Sequence, residues 1–179
     1  MSQYTSFLPL LGSDSIRLLS VMPSKLATAP IQYQLHDYDF QESDRGTHLY
    51  EALSYVWGGF DDPPQSVYVN GQLLHITTNL YAALLHLRDR TFERIIWVDS
   101  ICINQNDKEE KSRQIQLMAR IYGEANRVIV YLGEAADDSD QTIEYIRSAA
   151  EEDGVYLWTD ENNQKAVFEL LQRPWFQRI

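Results

Sequence analysis

Hydrophobic positions along this chain repeat with two periods. Short apolar and β-branched runs, Ile16-Arg17-Leu18-Leu19-Ser20-Val21, Ile31-Gln32-Tyr33-Gln34-Leu35, Ala52-Leu53-Ser54-Tyr55-Val56-Trp57 and Ile95-Ile96-Trp97-Val98, read as strands. The first two, parted by the turn-rich stretch from Pro23 to Pro30, predict a peripheral hairpin. A polar stretch from Asp37 to His48, broken at Gly46, predicts a loop into the third run, which should end at Gly58-Gly59. Val67 to Ile76 predicts a second hairpin turning at Asn70-Gly71, since Asn-Gly supplies the positive φ angles of a two-residue turn.

Helical spacing takes over after Thr77-Thr78-Asn79. Leu80, Ala83, Leu84 and Leu87 fall on one face, and Asn79 or a neighbouring Thr caps the helix, which should end near Arg90. A helix is expected from about Lys108 to Gly123, opened by Asp107 and Glu110 in capping-box spacing. A further strand spans 127–132. Ser139 then caps a helix with Ile143, Ile146 and Ala150 on its apolar stripe, ending near Gly154. Asn162 to Gln172 predicts another helix, and Arg173-Pro174-Trp175-Phe176 a fresh helical start. Strand 95–98, helix 108–123 and strand 127–132 form a β-α-β unit, which presents polar groups at the carboxyl edge of a parallel sheet.

A length of 179 residues fits one domain able to bury a core without disulfides or metal. Fifteen basic against 26 acidic residues give a net charge of −11, which argues against a nucleic-acid partner. Cys102 has no partner for a disulfide, and His36, His48, His75 and His86 fall in no metal-ligand spacing, so no metal is expected. No apolar run approaches the roughly 20 residues that cross a bilayer, and the first residues lack a signal-peptide pattern. These features predict a cytoplasmic protein without a membrane partner.

Candidate chemistry gathers around the β-α-β unit. At about 100° per residue, Glu110 and Gln114 continue the inward arc of Leu117, Met118 and Ile121. They should approach Asp99, Ser100 and the Asn104-Gln105-Asn106 loop, making a polar crevice. The plainer reading has Asp107 and Glu110 as a capping pair and Asn104 to Asn106 as turn residues. Asp99 directly follows an apolar strand, so it needs a hydrogen-bond partner or a function. Tyr55 and Trp57, on one face of their strand before Gly58, read either as core or as a wall for a planar ring. Neither phosphate-binding glycine motif, G-x-G-x-x-G or G-x-x-x-x-G-K-[ST], is present. Cys102, flanked by Ile101 and Ile103, reads as a buried structural thiol. Arg173, Trp175, Phe176 and Arg178 suit a partner surface or an amphipathic terminal helix.

Several uncommon blocks in order, Tyr50 to Gly58, Trp97 to Gln105 with Glu110, Arg113-Gln114, Met118 and Ile121-Tyr122, Val128 to Gly133, and Arg173 to Phe176, resemble the fungal heterokaryon incompatibility (HET) domain. The resemblance implies a domain at 49–179, ending beyond Ile179, preceded by a packed β extension at 1–48. It implies an α/β fold similar to TIR domains, a flavodoxin-like parallel sheet with flanking helices and an inserted hairpin. It also implies a role in fungal allorecognition, with programmed cell death when incompatible cells fuse.

Some TIR domains cleave NAD and others assemble as adaptors, so the resemblance leaves two functions open. One is a cell-death effector that cleaves NAD in the intact protein; the other is a non-catalytic homotypic module with an allelic or signalling protein partner. A Gln-Glu pair shortly after the Arg-Pro-Trp-Phe block is the best counterpart of the TIR catalytic glutamate, and it would fall beyond Ile179, leaving this chain weak or inactive. Within the chain, Asp99 and Glu110 are the catalytic candidates. Ser54, Tyr55, Trp57, Gly58, Asn104, Gln105, Arg113 and Gln114 are candidates for binding NAD or a related nucleotide, held without covalent attachment.

Overall fold

The computed structural model describes residues 9–10, 12–26, 28–41, 48–58, 62–136, 139–151 and 161–178, with the side chains of 48 and 151 left aside. Expectations for Gly46, Gly59 and Gly154 lie outside these residues. The chain forms two compact units, Met1–Tyr131 and Leu132–Ile179.

The first unit is an α/β structure built on a seven-stranded sheet. Its strands are β1 (Ser15–Val21), β2 (Gln32–Asp39), β3 (His48–Ser54), β4 (Gln65–Val69), β5 (Gln72–Ile76), β6 (Arg94–Trp97) and β7 (Ala125–Val130), in the order β5-β4-β2-β1-β6-β3-β7. Its helices are α1 (Thr78–Leu87), the single-turn α2 (Asp99–Cys102) and α3 (Lys108–Glu124).

The sheet is mixed where a parallel one was expected. β3 runs parallel to β6 and β7, and β2 parallel to β4, whereas β1 is antiparallel to β2 and β6. The first hairpin pairs as predicted, but it is not peripheral. β1 lies between β2 and β6 with every residue buried, because its side chains meet covered surface on both faces of the sheet.

The second hairpin forms at Asn70-Gly71, with φ of 51° and 75° as a two-residue turn of this type requires. Asn70 also latches the turn to β2. Its Oδ1 accepts from the Leu35 N–H at 2.9 Å, its Nδ2 donates to the Leu35 carbonyl at 3.3 Å, and its own N–H donates to the Tyr33 carbonyl at 3.0 Å.

Caps follow local chemistry. The Thr77 hydroxyl accepts from the Leu80 N–H, and Asp107 Oδ1 accepts from the N–H groups of Glu109 and Glu110, both at 3.0 Å. The expected arc on α3 also appears, with Glu110, Gln114 and Ile121 buried and Leu117 and Met118 packed on the core.

The second unit contains α4 (Ser139–Glu151) and α5 (Glu161–Leu171), which contact one another. The predicted helical start at Arg173 is instead a run of turns, in which the N–H groups of Phe176, Gln177 and Arg178 donate to the carbonyls three residues earlier. Arg173 is drawn aside there. Its guanidinium donates to the carbonyls of Leu132, Glu134 and Ala136.

Candidate functional site

The connections leaving β3 and β6 diverge. α3 lies on the sheet face that carries Tyr50 and Trp97, because the Tyr50 hydroxyl donates to the Ile121 carbonyl at 2.6 Å and the Trp97 ring meets Tyr122 edge-on at 5.5 Å. α1 lies on the opposite face. Tyr33, near enough to Tyr81 and Arg88 to feel both, shares a face with Val21 and Leu19, and Leu19 pairs with Ile96, the neighbour of Trp97 that points the other way. Strand ends whose connections part to opposite faces leave a crevice between them, where ligands of α/β proteins bind.

Trp57 and Asp99 meet at this position. β3 stops at Ser54, earlier than the apolar run suggests, because the Val56 carbonyl accepts from Asn79 Nδ2 at the start of α1. Gly58 then takes φ of 86°, and a Cβ on it would lie 3.3 Å from that of Asn79, so glycine suits this bend on two counts.

The Trp57 indole N–H donates to Asp99 Oδ2 at 2.9 Å, while Asp99 Oδ1 accepts from the Ser100 N–H at 2.7 Å. Beneath them, the Tyr55 hydroxyl donates to Ser100 Oγ at 2.7 Å. Burial, reinforced by the neighbouring Asp99 charge, pushes the Tyr55 phenol well above its ordinary value, so it stays a neutral donor. Trp57 is 38% exposed and Asp99 half-buried, so both are open to a ligand. Gln105 Nε2 donates to the Asp99 carbonyl at 2.9 Å, leaving its buried Oε1 without a partner.

Glu110 is placed otherwise than expected. Instead of lining the crevice, its carboxylate is 3% exposed and takes both guanidinium arms of Arg17, at 2.6 and 2.9 Å, together with the Asn104 N–H at 2.7 Å. Arg17 donates further to the Cys102 carbonyl. The capping reading holds for Asp107, whereas the Glu110 side chain turns to β1.

Gln114 also turns inward, its Nε2 donating to the Ser15 carbonyl at 2.8 Å, and Arg113 sits exposed on α3. Asn104 Oδ1 accepts from the Asn106 N–H, as in a turn, and the Ser54 carbonyl accepts from the Tyr131 N–H. Cys102 is fully buried, which pushes its thiol up to about 12. In the second unit, Trp175 and Phe176 stack edge-on at 5.1 Å, and Arg178 is exposed.

Sequence reasoning thus missed Arg17, the Asn79 contact with the Val56 carbonyl and the α2 turn. A charge inside the mostly apolar run from Ile16 to Val21 was the available signal, since a buried guanidinium demands an acidic partner.

Residues 50–179 match the family described as heterokaryon incompatibility protein (HET). The chain is also 33% identical, over 174 residues, to heterokaryon incompatibility protein 6, OR allele, of Neurospora crassa. That alignment covers 89% of this chain and 25% of the relative, so the chain spans about a quarter of the relative's length. No solved structure matches the chain.

Proposed function

The chain belongs to the heterokaryon incompatibility family, and on that premise we propose that it is the effector domain of a fungal non-self recognition protein whose crevice between β3 and β6 binds NAD or a related nucleotide. The observation that carries this reading is the Asp99 carboxylate, fixed by the Trp57 indole and the Ser100 amide where two parallel strands send their connections to opposite faces. Trp57 offers an aromatic wall, and Gln105 Nε2 holds the Asp99 carbonyl behind it.

In the intact protein this arrangement suits cleavage of the nicotinamide–ribose bond. The C–N bond breaks with its electron pair leaving on nicotinamide, the ribosyl cation is stabilised by the Asp99 carboxylate, and water adds to the sugar with loss of a proton. Glu110 acts at one remove, holding the Asn104 amide and hence the loop that carries Gln105.

The test is incubation of this chain, and of a form extended past Ile179, with NAD while following binding and nicotinamide release. Saturable binding to both and turnover by the longer form are expected. A folded, concentrated, extended protein that neither binds nor cleaves NAD removes the reading.

A homotypic assembly module is the second reading. It draws on the exposed Ile143, Tyr145 and Ile146 of α4 and Phe168 and Leu171 of α5, an apolar display suited to association. Light scattering across concentrations tests it, and a strictly monomeric extended protein counts against it.

A further inference from the structure

We propose that the outer face of β2 and β4 holds a second ligand site, separate from the crevice at Asp99, shaped for an uncharged saccharide. A cavity of about 490 Å³ opens there, within the range of small-molecule sites. Its floor is β2, where Gln32 and Gln34 point outward about 6.6 Å apart on the same side of the strand. Tyr68 stands beside them on β4, opposite Gln32 in the parallel register, and is 46% exposed. Met22 and Pro30 close one side and the Asn70-Gly71 turn the other.

The lining selects by what it lacks. In a chain of net charge −11, the described residues put no carboxylate, ammonium, guanidinium or imidazole on the walls of this cavity. A phosphate-bearing ligand would find no counter-charge. Strand addition is blocked at the cavity floor too, because β2 is paired there with β1 and β4 and the Asn70 side chain takes the Leu35 N–H and carbonyl. A purely apolar ligand would leave the two glutamine amides unsatisfied.

What fits is a molecule with a C–H face for the tyrosine ring and hydroxyls that both donate and accept. Each glutamine amide also donates and accepts, and among the described residues neither has a protein partner. The wall is set in advance, since the three Asn70 hydrogen bonds fix the turn to β2. Preorganisation of this kind lowers the cost of binding.

Nuclear magnetic resonance titration of the chain with neutral β-1,3-glucan and chitin hexasaccharides tests the site, with adenosine and a proline-rich decapeptide as comparisons. Saturable shifts confined to β2, β4 and the turn are expected with at least one hexasaccharide. Tyr68→Ala should weaken that binding about tenfold, the size of one lost aromatic contact, while Tyr68→Phe retains most of it. The paired change Gln32→Ala with Gln34→Ala should weaken it as well. Because Tyr68, Gln32 and Gln34 are exposed, each variant should keep the parent's circular dichroism, which separates lost binding from lost fold. The proposal falls if neither hexasaccharide binds the folded protein, if Tyr68→Ala leaves binding unchanged, or if adenosine or the peptide occupies this face more tightly.

Discussion

Asp99 and Glu110 begin as equals: each is an acidic residue in the first turn of a helix after β6. The fold gives them opposite fates. Asp99 stays half-open, held by one indole N–H and one amide, whereas Glu110 is shut away with both oxygens on Arg17. The difference shows that a carboxylate's place in a motif does not decide its role; the strand that reaches it does. β1 brings a guanidinium to Glu110, and the end of β3 brings an aromatic donor to Asp99.

The largest effect should come from breaking the buried pair. Arg17→Met leaves an uncompensated carboxylate and should cost about 3–5 kcal/mol in urea unfolding. Adding Glu110→Leu should restore much of that loss. If Arg17→Met costs less than about 1 kcal/mol, Glu110 is not held mainly by this pair.

A pH series probes the same buried region. The Cys102 thiol, whose residue gives its carbonyl to Arg17, is raised in the folded state from 9.0 to about 12. The native protein therefore holds the proton longer than the unfolded chain. Its contribution is complete below about pH 9 and is lost as pH rises towards about 12. Unfolding midpoints should fall across that window, and Cys102→Ala should make the fall shallower. An unchanged slope would show that other groups govern the alkaline loss.

A smaller change separates cap from ion pair. Asp107→Ala removes the oxygen shared by two amides at the start of α3 and should cost about 1 kcal/mol. A cost near that of Arg17→Met would mean that the cap, rather than the ion pair, holds Glu110 in place.

The smallest stability effect belongs to Asp99. Asp99→Asn weakens a partly exposed contact and should cost about 0.5 kcal/mol, yet abolish NAD binding measured by calorimetry. Unchanged NAD binding would remove Asp99 from the proposed site.

Local chemistry carried much of this architecture into view. Asn70-Gly71 announced its hairpin through backbone sterics, Asp107 its helix through the amides it caps, and the arc from Glu110 to Ile121 followed from helical geometry. The candidate site was legible in part, since hydrogen bonds do bring Tyr55, Trp57, Asp99 and Gln105 together around α2. Distance along the chain hid the rest. Leu19 finds Ile96, Arg17 finds Glu110 and Tyr50 finds Ile121, and no spacing rule links positions so far apart. The early end of β3 was hidden for the same reason, because a side chain from α1 takes the Val56 carbonyl.

The central place of β1 bears on where this domain can be cut. The family match begins at residue 50, leaving β1 and β2 upstream. A fragment starting there would bare the whole flank of β6 to other chains and strip Glu110 of the buried Arg17 guanidinium. It should collect in inclusion bodies, and co-expression with residues 1–49 as a separate polypeptide should rescue it.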